Sequence, residues 1–267
     1  LEKKIREIRC EFERAAANDL PVLFELYGSD TRSGVVRVVK KYRKQLEKQE
    51  LELKRLYVMG EYERKYSACL HICGIDEVGR GPLAGPVVAG AVILPKDCQI
   101  LYMNDSKQLS EKRREELYDI IMEKAISVGI GYASHKRIDE INILQATYEA
   151  MRSAVDKLDV EPEVLLNDAV IIPELTFKQV PIIKGDAKSI SIAAASIVAK
   201  VTRDRLMVAY EEMFPEYGFA SNKGYGSAVH IEALKKYGPT PIHRKSFILK
   251  QIGYPPLPGA LTKFGAE

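Results

Sequence analysis

Residues 72–94 read Ile-Cys-Gly-Ile-Asp-Glu-Val-Gly-Arg-Gly-Pro-Leu-Ala-Gly-Pro-Val-Val-Ala-Gly-Ala-Val-Ile-Leu. An apolar run stops at two adjacent acids, Asp76 and Glu77. The turn Gly79-Arg80-Gly81 follows, and then a β-branched run from Val87 to Leu94. This pattern predicts a strand, an acidic tip, a glycine loop and a second strand antiparallel to the first. Two carboxylates at a strand end suit a hard divalent cation, which prefers oxygen ligands. Glycine beside them lets a ligand approach the backbone. A hairpin with merely solvated acids explains these residues equally well. A dinucleotide loop does not, because Pro82 and Pro86 bracket the glycines and the next run is strand-like, where a phosphate-binding helix is needed.

The surrounding chain sets the context. Of 267 residues, 46% are hydrophobic, enough for a substantial core. No signal peptide is expected, and the longest weakly polar run, 82–95, is too short and too rich in glycine and proline to span a bilayer. Cys10, Cys69, Cys73 and Cys98 contain no Cys-x-x-Cys pair and read as cytosolic thiols, so a cytoplasmic protein without a membrane partner is expected. A monomer is the default expectation. Charge is uneven: residues 1–70 hold 16 Lys/Arg against 12 Asp/Glu, and residues 32–55 hold 9 against 3. That basic excess suits either a polyanion contact or a solvated helix face.

Helical spacing of Ile5, Ile8 and Phe12, a short helix from Leu20 with Asp19 as cap, and a longer helix from Ser33 with Val36, Val39, Leu46, Leu53 and Leu56 inward predict an all-helical appendage over 1–68. The main domain, 69–250, is expected to be α/β, a mixed sheet flanked by helices. Further strands are expected at 127–133, 163–167 and 179–184. Helices are expected from Ser110 to Ala125 and over 141–158, 188–213 and 228–237. A Gly/Pro-rich tail, 251–267, is expected to be loosely held.

Acids recur at the predicted strand ends: Asp76 with Glu77, then Asp168, then Asp186. A lone Asp168 reads as a turn residue, and Asp186 as a helix N-cap. Together the four form a set suited to two hard cations about 4 Å apart, flanking an in-line attack on phosphorus. Lys107 and Lys188 sit in loops beside this edge, able to hold phosphates. Tyr225, between Gly224 and Gly226, is placed to stack on a base or sugar. His243-Arg244-Lys245-Ser246 reads as a basic patch able to follow a nucleic-acid backbone.

These residues resemble ribonuclease HII, the type 2 ribonuclease H. The resemblance runs in order through Asp76–Val88, Asn104–Lys107, Leu166–Ala169, Lys184–Ser189, Ala195–Asp204, Lys223–Gly226 and His243–Phe247. It implies a ribonuclease H-like fold and a two-metal endonuclease using magnesium or manganese. The implied substrate is the RNA strand of an RNA–DNA hybrid, or a ribonucleotide embedded in duplex DNA, cut on its 5′ side to leave 3′-hydroxyl and 5′-phosphate ends. It implies Asp76, Glu77, Asp168 and Asp186 as metal-binding and catalytic carboxylates. Gly79, Arg80 and Gly81 become the loop that senses the ribose 2′-hydroxyl, and Tyr225 the ring that packs beside it. Asn167 stands where the family pattern has an apolar residue, and Ser227 where it has threonine. The appendage is similar to extensions in some bacterial members. A type 3 ribonuclease H acting on longer hybrids and a non-catalytic nucleic-acid-binding module are the alternatives.

Overall fold

The computed structural model describes residues 3–252. The expected loose tail therefore lies outside the described residues from position 253 onward. The chain divides into two compact units between Val58 and Met59. Among the described residues, no helix is long and apolar enough to cross a membrane.

The first unit holds α1 (Ile5–Arg14), α2 (Leu20–Tyr27) and most of α3 (Ser33–Met59). Its core joins Ile8 and Phe12 to Leu20, Tyr27, Val35, Val38, Val39 and Tyr42. Phe12 stacks on Tyr42 with ring centroids 5.2 Å apart. The inward stripe of α3 is thus 35, 38, 39 and 42, spaced as one helix face. Val36, expected inward, is exposed. Asp19 does not cap α2: its backbone is already helical and its side chain makes no cap bond.

The second unit begins with α4 (Glu61–Lys65) and is built on a five-stranded sheet. Its strands are β1 (Ile72–Val78), β2 (Val87–Ile93), β3 (Ser127–Ala133), β4 (Val164–Asp168) and β5 (Lys178–Ile182), in the order β3-β2-β1-β4-β5. The predicted β1–β2 hairpin is antiparallel, with Asp76 opposite Gly90, and β3 extends it. Then β4 pairs parallel to β1, with Ile75 opposite Asn167, and β5 parallel to β4, with Asp168 opposite Ile182. The flanking helices are α5 (Glu111–Lys124), α6 (His135–Asp156) and α7 (Ile190–Met213). Beyond α7 lie α8 (Phe219–Asn222), α9 (Ala228–Tyr237) and α10 (Lys245–Ile252).

Side chains alternate across the sheet. Cys73, Ile75 and Leu165 pack in one cluster with Ala146, Ala150, Met151 and Ala154 of α6. On the other face Ile72, Val164, Leu166 and Ile182 meet Ile192 of α7. Asp76 and Asp168 therefore share the α7 face, and Asn167 points the opposite way. Helix α7 lies unusually close to the sheet. A Cβ on Gly74 would fall inside the Ser191 backbone, and one on Gly90 would sit 2.6 Å from the Ala195 carbonyl. The Ala-Ala-Ala-Ser run 193–196 is the matching small-residue face, buried throughout. Helix α4 is tied to the start of α7 by Glu63, whose Oε1 accepts from Ser189 Oγ (2.6 Å) and the Ser191 N–H (2.9 Å).

Three local features escaped the sequence pattern. Helix α6 begins at His135, well before the expected position 141, and breaks at Asn142, with φ 69° and ψ 164°. Asn142 Oδ1 then accepts from the N–H of Leu144 (3.0 Å) and Gln145 (3.2 Å), restarting the helix as an internal cap. The expected start thus marks the second half of a broken helix. Helix α7 is capped by Ser189, whose side chain accepts from Ile192, and not by Asp186. Helix α10 was not expected; Asp139 of α6 caps it, accepting from the N–H groups of Lys245 (2.8 Å) and Ser246 (2.9 Å).

Because backbone and not a flexible side chain meets the added atom, Gly90→Ala is expected to lower stability by about 3 kcal/mol in urea unfolding. A loss below about 1 kcal/mol would mean that α7 can lift from the sheet cheaply.

Candidate active site

The acids collect where β1 and β4 end under α7. Asp76 is buried, and its carboxyl lies well above the usual range, first through burial and then through the neighbouring charges of Glu77 and Asp168. A hydrogen bond from Ser196 and one from the Glu77 N–H (2.8 Å) oppose that rise. Ser196 Oγ is itself 2.9 Å from Ser106 Oγ, so the loop carrying Lys107 is linked to Asp76 through two hydroxyls. Burial also raises Glu77; Arg80, whose Nη1 is 3.3 Å from Glu77 Oε1, pulls it back, and Asp168 adds to the rise. Asp168 Oδ1 accepts from the Gly185 N–H at 2.7 Å, which ties β4 to the turn carrying Asp186. Asp186 is raised by burial and then by Asp105 and Asp168.

Lys107 reaches into this group, with Nζ 3.9 Å from Asp186 Oδ2. Burial lowers its pKa, but Asp105, Asp186, Asp76 and Asp168 together outweigh that and leave it raised. Lys107 is a cation shared by Asp105, Asp186, Asp76 and Asp168, while Arg80 serves Glu77. Lys188 is exposed just before the Ser189 cap. Asp105 was not among the sequence candidates; a lone acid beside Asn104 gave no reason to single it out.

Among the described residues, no three His, Cys, Asp or Glu side chains are grouped closely enough to hold a metal ion as they stand. The donor set still fits a hard divalent cation. Asp76, Glu77, Asp168 and Asp186 offer only oxygen, and the charge of one raises the pKa of the next. A group of buried carboxylates in that condition is short of positive charge.

Beside the acids runs the loop 79–86. Gly79 has φ +90°, and an added Cβ would strike the Arg203 side chain. A Cβ on Gly81 would lie 3.5 Å from Tyr225 Cε1, so the exposed Tyr225 ring stands over the loop. The segment expected as a basic surface patch is the clearest correction: His243 is 2% and Arg244 0% exposed. They cannot follow a nucleic-acid backbone. Burial pushes Arg244 down to about 9 and Arg203 to about 10, which leaves both guanidinium groups charged at neutral pH. Each points at backbone carbonyls, three bonds from Arg244 and three from Arg203. Local sequence gives basic residues of this kind no inward signal.

His243 pairs with His230 at 2.8 Å between Nε2 atoms. Burial first, and then His230, lower His243 to about 3; burial also lowers His230. Both are neutral when folded, while an unfolded histidine titrates near pH 6.5. At this pair the unfolded chain therefore binds more protons in acid. The pair's contribution to stability is expected to fall progressively as pH drops from about 6.5 toward 3, and His243→Gln to remove that part of the slope in thermal melts. An unchanged slope would place the acid sensitivity elsewhere.

Comparison with known proteins bears on this geometry. The family model described as Ribonuclease HII matches residues 73–250, and that described as Ribonuclease HII N-terminal domain matches residues 4–67. A Ribonuclease HII of Lachnoclostridium phytofermentans is 68% identical over 245 residues, 92% of this chain and 96% of that protein. One from Clostridioides difficile is 49% identical over 252 residues, 92% of this chain and 98% of its own length. The crystal structure of the ribonuclease H2 from Pyrococcus horikoshii superposes with a TM-score of 0.55 at 29% identity, covering 66% of this chain and 93% of that one. With its mixed sheet, its acids at the strand ends and these matches across both units, the chain belongs to the ribonuclease HII family, endoribonucleases that act on RNA–DNA hybrids.

Proposed function

We propose that this ribonuclease cuts on the 5′ side of ribonucleotides embedded in duplex DNA, as well as within RNA–DNA hybrids, and leaves 3′-hydroxyl and 5′-phosphate ends. The observation that carries the reading is the pairing of Tyr225 with Gly81 beside Asp76 and Glu77. Only a 2′-hydroxyl distinguishes a ribonucleotide from its neighbours in such a duplex. A reader of that group needs backbone donors on an open glycine loop and a surface for the sugar or base. Gly79, Arg80 and Gly81 supply the first and the exposed Tyr225 ring the second.

Asp76, Glu77, Asp168 and Asp186 would hold two divalent cations, magnesium or manganese, which when bound supply Lewis acidity toward the phosphodiester. The chain's own groups do the remaining work. Glu77 keeps Arg80 at the loop through their 3.3 Å contact. The Ser196–Ser106 pair holds Asp76 and the Lys107 loop in register. Lys107, now shared among the acids, can turn to a substrate phosphate as a point charge. Exposed Lys188 lies at the same edge for a second phosphate. Asn167 faces away from Asp168. Its Nδ2 donates to Gln179 Oε1 (2.8 Å) and the Val170 carbonyl (3.2 Å), bracing the loop between β4 and β5.

The test is a DNA duplex with one ribonucleotide, incubated with magnesium, manganese or chelator. Cleavage 5′ of the ribonucleotide that chelator stops is expected, and Asp76→Asn should lower it at least about 100-fold while duplex binding changes little. Cleavage confined to long hybrids would contradict the embedded-ribonucleotide reading. Undiminished turnover by Asp76→Asn would contradict the site.

A further inference from the structure

The loop and the ring that face the ribose come from distant stretches: Gly79–Gly81 follows β1, and Tyr225 precedes α9. The adjacent residues His243 and Arg244 hold both. Arg244 donates from Nη2 to the Gly79 carbonyl (2.5 Å), from Nη1 to the Arg80 carbonyl (2.8 Å) and from Nε to the Gly85 carbonyl (3.0 Å). In a trans peptide the N–H points opposite to the C=O. Fixing the Gly79 and Arg80 carbonyls therefore aims the N–H groups of Arg80 and Gly81 away from Arg244. The guanidinium sets the direction of two donors in the loop.

The histidine works on the other part. The Thr240 N–H donates to His243 Nδ1 at 2.9 Å, which makes that nitrogen an acceptor. The His243 proton must then sit on Nε2, where it meets His230 Nε2 at 2.8 Å. His230 accepts there, so its own proton is on Nδ1, which donates to the Tyr225 carbonyl at 2.8 Å. Each link fixes the tautomer of the next, and the relay ends on the residue whose ring stands over Gly81. The backbone closes the frame. The Leu83 N–H donates to the Gly224 carbonyl (2.8 Å), the Gly85 N–H to that of Ile242 (2.9 Å) and the Arg244 N–H to that of Leu83 (2.8 Å).

Filling this space alone would not need a cation. An apolar side chain of similar volume avoids the cost of burying a charge. What Arg244 adds is a rigid fork of donors. We propose that His243 and Arg244 form a positioning device that holds Tyr225 in register with the Gly79–Gly81 loop and thereby sets the preference for a lone ribonucleotide over a continuous hybrid; this rests on the assignment of Tyr225 and that loop to the ribose. A lone ribonucleotide offers one productive register, so a displaced reader misses it. A continuous hybrid offers a productive register at every step.

The experiment compares kcat/KM on a single-ribonucleotide duplex and on a continuous RNA–DNA hybrid, using the full chain with magnesium and checking each variant's Tm. A single ammonium cannot bond three carbonyls, so Arg244→Lys should lower the ratio of the two values about tenfold. His243→Leu should lower it in the same direction, and His243→Gln should recover most of that loss, because an amide can accept from Thr240 and donate to His230. Equal losses on both substrates, or an unchanged ratio, would overturn the proposal if Tyr225→Ala still lowers the ratio. A ratio unmoved by Tyr225→Ala would instead overturn the assignment beneath it. Should Arg244→Lys fail to fold, the contrast between His243→Leu and His243→Gln decides.

Discussion

Negative charge crowded into a partly dry corner is the constraint on which the second unit turns. Two like charges 4 Å apart repel by about 4 kcal/mol at the effective dielectric of a protein surface, against about 1 kcal/mol in water. Asp76 and Asp186 carry raised pKa values because burial and neighbouring acids both oppose their ionisation. Positive charge must come from somewhere. Lys107, tethered by a loop at the edge of the acids, supplies some of it. A divalent cation bound among these acids would supply more, and no protein cation offers the same charge density to several oxygens at once.

Crowding of this kind exists only because α7 lies so near the sheet. Gly74 and Gly90 remove side chains from the strands, and the run Ala193–Ser196 removes bulk from the helix. With the gap closed, Ser196 reaches Asp76, and the turn before α7 brings Asp186 and the Gly185 N–H to Asp168. Close helix packing and the acidic site are therefore a single feature. Glu63 anchors the start of the same helix, so α4 also belongs to what holds the site together.

Much of this was legible along the chain. Acids that end apolar, β-branched runs mark strand ends, and strand ends in α/β sheets are where ligands gather. The hairpin, α5 with its Ser110 cap, β3 and α9 followed from periodicity and caps. What stayed hidden was non-local. The break at Asn142 depends on a backbone conformation that neighbouring residues do not announce. The inward stripe of α3 is legible at Val39, Leu46 and Leu56 but not at Val36, because several valines compete and packing against the α1–α2 residues selects Val35, Val38 and Tyr42. His243-Arg244 looked like surface because its residue types are usually exposed. Its burial is made possible by carbonyls far away in sequence, at Gly79, Arg80 and Gly85.

The central claim is that burial and neighbouring charge raise the pKa values of Asp76, Glu77 and Asp186, and that divalent cations bind among these acids and relieve the crowding. Calorimetric titration of manganese into the protein at pH 7, in buffers of different ionisation enthalpy, tests this directly, because cation binding to such acids must release protons. Saturable binding whose heat changes with the buffer is predicted, with a smaller buffer dependence in Asp76→Asn. Heats independent of the buffer, or binding untouched by that substitution, would contradict it.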